Sequence, residues 1–204
     1  MCGVTAYIAL IKEWSTIIIK NFFIDKKVIL VMGEYDQNGK LCSRIMVEKT
    51  TLLVDRAPLH LLDDTLTYIG FDLRGAIAGA KFILNKTVKC PIIVNPYQSV
   101  CLFPSKSPQN QDCIWFNPDH IVNTKAIGNK TEVELSNGHF LLVEAKLTAF
   151  NNKLQTANQL KRITKERGIQ ASPLLLCLEP PKKHQLIKEK SGKYNFDILE
   201  EEEK

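Results

Sequence analysis

The chain has no run of 18 uncharged apolar residues, so no segment reads as a membrane-spanning helix. It has no CxxC pair, and the gaps between Cys90, Cys101 and Cys113 are irregular, so even with His120 nearby no zinc spacing emerges. GxSxG, HExxH, a Walker loop and GxGxxG are all missing, and His60, His120, His139 and His184 stand far apart. Asp63 and Asp64 are adjacent, so on a helix they diverge by about 100° and form no carboxylate pair. Zinc-finger spacing, a bZIP basic region with heptads and an aromatic RNP motif are absent too. Met1-Cys2-Gly3 lacks a basic start, and Lys12, Glu13 and Lys20 interrupt the apolar stretch behind it, so no secretory signal is read. The six cysteines (Cys2, Cys42, Cys90, Cys101, Cys113, Cys177) are then expected as reduced, buried or half-buried thiols in the cytoplasm, with no metal and no cofactor.

What is present is ordinary globular composition, 45% hydrophobic and 24% charged over 204 residues, enough for one domain with appendages. Charge is distributed unevenly. The whole chain carries +5, but residues 197–204 hold five acids and one lysine, so the preceding 196 residues carry nine excess positive charges. A body of that charge is drawn towards polyanions.

The pattern is mostly antiparallel β. Apolar runs at Phe22–Ile24 and Lys27–Val31 precede Asn38-Gly39 and the run Leu41–Val47, and Thr131–Leu135 and His139–Val143 flank Ser136-Asn137-Gly138. Asn-Gly between apolar runs predicts a hairpin with a type I′ turn, which needs positive φ at both central residues. Three short strands lie between, at Pro91–Val94, Ser99–Phe103 and Cys113–Phe116, closed by Asn95-Pro96, Pro104 and Asn117-Pro118. Two helices are expected in the middle, Pro58–Tyr68 with an early proline and Asp72–Leu84 with Asp72 as N-cap; Gly75 and Gly79 on the second would let another backbone approach. A basic helix is predicted from Asn151 to Arg167, stopped by Gly168, and a further strand over Pro173–Leu178. The fold class is therefore α+β, mainly antiparallel hairpins with two short helices in the middle and a basic helix near the C-terminus. Residues 1–20 are read as an N-terminal extension, a docked helix and an extra strand staying open; 21–178 form the domain and 179–204 a mobile tail.

One enzyme signature needs weighing. Pro118-Asp119 stands 25 residues before Glu144-Ala145-Lys146, the PD…ExK spacing of Mg²⁺-dependent nucleases, in which Asp119 and Glu144 would hold the cation and Lys146 would orient water. Against it, Asn117-Pro118-Asp119 is a good turn and Glu-x-Lys a common solvated alternation.

Leu41-Cys42-Ser43-Arg44-Ile45, Cys90-Pro91-Ile92-Ile93-Val94-Asn95-Pro96, Val100-Cys101-Leu102-Phe103-Pro104, Cys113-Ile114-Trp115 and Ser136-Asn137-Gly138 occur in the order and approximate spacing of the ComK competence transcription factor family, which the chain resembles from about Asn21 to Leu178. The PD and ExK residues lie outside that pattern. The resemblance implies a non-enzymatic bacterial activator of DNA-uptake and recombination genes, cytoplasmic and nucleoid-associated. It implies binding to paired A/T-rich promoter boxes as a dimer of dimers, largely through the minor groove, and assistance to RNA polymerase. It further implies a protease adaptor that acts through the C-terminal region. Minor-groove edges separate A·T from G·C and little more, so such a protein reads groove width and box spacing with a basic surface in place of a recognition helix. Candidate DNA-binding residues are Lys153, Lys161, Arg162, Lys165 and Arg167 on the basic helix, then Arg74, Lys81, Lys86 and Lys89. Arg74, between Phe71 and Gly75, matches the family's Gly-aromatic-Arg-Gly stretch around Gly70. The competing reading of the helix cluster is a solvated face opposite an apolar stripe. A third function class, an adaptor whose basic face meets an acidic protein, also stays open.

Overall fold

The computed structural model describes residues 18–169 and Lys188. The chain divides into compact units Met1–Glu166 and Arg167–Lys204. In chain order the elements are β1 (Ile18–Ile19), β2 (Val28–Tyr35), β3 (Leu41–Val47), β4 (Thr50–Val54), α1 (Pro58–Tyr68), α2 (Leu73–Leu84), β5 (Ile92–Asn95), β6 (Val100–Pro104), β7 (Ile114–Phe116), a 3₁₀ turn (Pro118–His120), β8 (Ile121–Ile127), β9 (Lys130–Leu135), β10 (Phe140–Val143) and α3 (Leu147–Ile169). This is the α+β arrangement that the sequence predicts.

Seven strands form one sheet in the order β1-β4-β3-β2-β7-β6-β5, antiparallel throughout except for the β1–β4 pair. β8, β9 and β10 form a second, antiparallel sheet. Alternation along the central strands sorts side chains to two faces. Val100, Leu102 and Trp115 join Leu61, Leu62 and Leu66 of α1 in one core, while Cys101, Phe103 and Phe116 join Val133, Leu135 and Val143 of the small sheet and Phe150, Ala157 and Leu160 of α3 in the other. Both faces of the large sheet are therefore covered. The rings of Phe103, Phe116 and Phe150 meet with centroids 5.4–5.7 Å apart and seat α3 on the sheet.

α1 begins with Pro58 at its first turn, and α2 is capped by Asp72, whose carboxylate accepts the Gly75 N–H at 2.6 Å. Both helices lie where the sequence places them. The Asn-Gly hairpins do not use type I′ turns. In each, only glycine has positive φ (Gly39 +75°, Gly138 +83°), and the pairs Asp36 N–Lys40 O (2.9 Å) and Leu135 N–His139 O (2.8 Å) close three-residue loops with a glycine bulge.

Other expectations shift. The run Phe22–Ile24 is loop, because the buried Ile24 donates its N–H to Thr65 Oγ1 at 3.1 Å and takes no place in a ladder. The basic helix starts four residues before Asn151, where buried Phe150 anchors it, and continues through Gly168 to Ile169. No backbone approaches the glycine face of α2: nothing among the described residues lies within 4 Å of a Cβ built at Gly79. The strand expected over 173–178 lies outside the described residues.

Candidate nucleic-acid interface

α2 ends at Asn85, which takes the left-handed conformation (φ 49°) and directs the chain back so that Lys86 N bonds Lys81 O at 3.2 Å. Three residues on, Lys89 is left-handed as well (φ 52°), and the next residue, Cys90, is buried with its thiol near the Lys86 and Val88 carbonyls. This pinned loop carries Lys86 and Lys89 against the N-terminal half of α3. Lys86 Nζ reaches Thr156 Oγ1 at 2.8 Å, and Lys153, half-buried, donates to the Ser105 carbonyl. The result is a cleft of about 140 Å³ lined by all three lysines together with Val88, Phe103 and Thr156. Burial holds the Lys153 ammonium below its ordinary pKa, and the neighbouring Lys89 charge acts in the same direction.

The structure thus joins Lys86 and Lys89 to Lys153, more than 60 residues further along the chain. Arg74 and Lys81 stand exposed on α2, seven residues apart and so on one helical face; neither has a carboxylate partner among the described residues. Lys165 is exposed on α3 and equally without one, and Arg167 is exposed in its last turn. Lys161 and Arg162 differ. Lys161, with only 18% of its side chain exposed, is bound to Asp119, and Arg162 pairs with Glu166 one turn on at 3.1 Å. A cation already neutralised by a carboxylate offers little to an incoming phosphate. The sequence does carry a signal for this surface: Leu73–Gln111 and Ala145–Lys165 each contain five cations and no acid. Thr156 and the Ser105 carbonyl carried no sequence signal at all.

The nuclease constellation does not assemble. Ile121 pairs with Leu135 at one end of the small sheet, whereas Ala126 pairs with Thr131, and Thr131 with Val143, at the other. Asp119 precedes the first end and Glu144 follows the second, so roughly 16 Å of strand separates them. Each has its own lysine, Lys161 for Asp119 and Lys130 for Glu144 at 2.5 Å. Among the described residues no three His, Cys, Asp or Glu side chains gather to hold a metal, and no helix is long and apolar enough to cross a membrane. His120 instead braces a turn, its ring nitrogens meeting Ser136 Oγ at 2.7 Å and Lys26 O at 2.8 Å. Cys42, Cys90, Cys101 and Cys113 are buried free thiols, as expected.

The family model described as ComK protein matches residues 19–168. The competence transcription factor of Bacillus subtilis (strain 168) is 27% identical over 150 residues, covering 73% of this chain and 78% of that protein. No solved structure matches. With three quarters of its length matched by the family model, the chain belongs to the ComK family.

Proposed function

We propose that this chain is a DNA-binding activator of bacterial competence genes that grips A/T-rich promoter boxes through a basic surface built from α2, the 85–91 loop and α3. Family membership and the likeness to a competence transcription factor support the coarser reading, a regulator of competence transcription and not an enzyme. One observation carries the nucleic-acid part: two acid-free segments, far apart in sequence, fold against each other so that Lys86, Lys89 and Lys153 share one cleft, with Arg74 and Lys81 exposed on the helix leading into it. Cations without internal counter-ions favour a polyanionic partner and release of its condensed ions. Arg74, Lys81, Lys86, Lys89, Lys153, Lys165 and Arg167 are the proposed DNA ligands; Lys161 and Arg162 position α3 and its outer face.

The finer elements of the proposal follow the family resemblance. The protein reads paired boxes by minor-groove width and spacing, acts as a dimer or dimer of dimers at the nucleoid, and helps RNA polymerase engage. Residues 21–178 form the DNA-binding body, and the segment after it offers the handle for a protease adaptor. A mobility-shift titration on duplexes with two A/T boxes, their separation varied in half-turn steps, tests this. Binding that peaks when both boxes share a helical face supports it; indifference to composition and spacing, or Mg²⁺-dependent cutting, overturns it.

A further inference from the structure

We propose that the cleft between the 86–91 loop and the N-terminal half of α3 is a discrete seat for one phosphate group, held by the ammonium groups of Lys86, Lys89 and Lys153. Four features support a built site over a loose patch of surface lysines. First, no carboxylate lines the cleft, and Lys153 is half-buried with a carbonyl and a hydroxyl-bearing helix around it, so the counter-ion that three clustered cations need has to come from outside. Second, the volume of about 140 Å³ holds roughly five waters at about 30 Å³ each, the scale of one tetrahedral oxyanion. Third, Val88, Pro91 and Phe103 form an apolar wall, which lowers the local dielectric and strengthens attraction between an entering anion and the lysines. Fourth, Lys89 stands in the left-handed region at φ 52°, a conformation that costs a lysine energy and recurs where backbone is held for function. The exposed Asn152 adds a side-chain amide for a remaining phosphate oxygen, while Thr156, its hydroxyl donating to the Asn152 carbonyl at 2.6 Å, holds Lys86 in place.

A phosphate oxyanion reaches the cleft from either of two sources, a diester of the DNA backbone or a free phosphate ester. We assign the backbone diester, and that assignment rests on the DNA-binding function proposed above; the seat itself does not. One phosphate fixed there sets the register of the surrounding basic surface.

The test uses the full chain, inorganic phosphate as probe and four variants: Lys89→Asn, Lys153→Met, their double combination and Lys86→Arg. Asparagine tolerates the left-handed backbone and methionine keeps the buried stem, so both substitutions remove charge with little change in packing. Thermal unfolding is followed in sodium phosphate and in sodium chloride at equal ionic strength. Phosphate also stabilises folded chains by exclusion from their surface, so the expected signature is a difference between chains: the midpoint gain of phosphate over chloride should be about 3 °C larger in the unaltered chain than in the double variant. An equal gain in both overturns the seat. Lys86→Arg, which keeps the charge, should retain the increment, and its loss there while thermal unfolding stays cooperative would overturn the seat.

A second arm separates the sources. On an A/T-box duplex the double variant should flatten the salt slope by about 0.9, one phosphate, although two charges have gone. A double variant that loses the phosphate increment yet keeps the full salt slope refutes the DNA source and leaves a seat for a free phosphate ester. If the unaltered chain shifts no duplex while its phosphate increment stands, the function proposed above fails and the seat survives.

Discussion

Neutralising Lys81 and neutralising Lys161 should have opposite signatures, although both are lysines on basic helices flanking the same surface. Six of the nine candidate cations, Arg74, Lys81, Lys86, Lys89, Lys153 and Lys165, lie in the unit Met1–Glu166 and have no carboxylate partner among the described residues. If Lys86, Lys89 and Lys153 share one phosphate and the other three cations each meet their own, the slope of log affinity against log salt is about −3.6 per protomer, and affinity falls roughly 150-fold between about 50 and 200 mM salt. Lys81→Ala removes one contact on an exposed helical site where alanine is well tolerated, so the slope should flatten by about 0.9 with stability nearly unchanged. Lys161→Met breaks the tie to Asp119 that fixes α3 to the 3₁₀ turn, so stability should fall by about 1 kcal/mol while the slope stays put. Fluorescence-anisotropy titration of a labelled A/T duplex at four or five salt concentrations, beside urea unfolding of each variant, reads both quantities. An unchanged slope for Lys81→Ala, or flattening by Lys161→Met to the same extent as Lys81→Ala, would refute the division of the cations into free and paired.

Further expectations concern the scaffold. A Cβ at Gly33 would lie 2.8 Å from the Gln111 carbonyl oxygen and 3.1 Å from Leu41 Cδ1, so Gly33→Ala should lower unfolding free energy by about 1–3 kcal/mol in urea melts. Phe150→Ala removes the ring that seats α3 and should cost about 3–5 kcal/mol; a loss below about 1 kcal/mol would show that α3 is held by its polar ties instead. Hydrogen bonding by Arg44 holds the Glu34 carboxyl below its ordinary pKa of 4.5. A depressed folded-state pKa gives stability that is present above the unfolded value and lost as pH falls through the folded one. The gap between the unaltered chain and Glu34→Gln should accordingly close in acid, as pH falls below the ordinary value of 4.5, and a gap independent of pH would contradict the pairing.

The elements legible in the sequence were those whose signals are local. Pro58 and Asp72 mark helix starts through φ restriction and a side-chain cap, both acting within one turn, and α1 and α2 lie where those residues put them. β8 escaped notice for the opposite reason. A bulge between Ile121 and Asn123 shifts its register, and Val122 and Ile127 point outward at 64% and 42% exposure, so neither alternation nor a hydrophobic run announces a strand. The start of α3 was set too late because Leu147–Phe150 is fixed by packing of Phe150 against Phe103 and Phe116, which no local pattern reports. Asn-Gly correctly marked both hairpins, yet the loop length belongs to the flanking strands, and each accommodates a bulge that leaves asparagine at negative φ. For the interface, the residue types were legible and their partners were not. Lys161 and Lys165 look alike in sequence; only the 3₁₀ turn, 42 residues upstream of Lys161, makes one of them structural.

Lys153 is where stability and binding come apart most clearly. A lysine kept half-buried beside another cation is an expensive structural element, and methionine would fill the same space without the desolvation cost. Its one structural return is the bond to the Ser105 carbonyl, which helps hold the β6–β7 loop against α3. Losing that bond costs about 0.5–1.5 kcal/mol, and relief of desolvation and of repulsion from Lys89 offsets it. Lys153→Met should therefore change unfolding free energy by less than about 1 kcal/mol in either direction, while duplex affinity at low salt falls because the seat keeps only two of its three ammonium groups. Stability and affinity falling together, in the proportion seen for Phe150→Ala, would show that the lysine holds α3 in place and does nothing for a ligand. Affinity falling alone is the outcome that the charge of this cleft requires, because a cation retained against its own folding cost needs an anion from outside the chain to account for it.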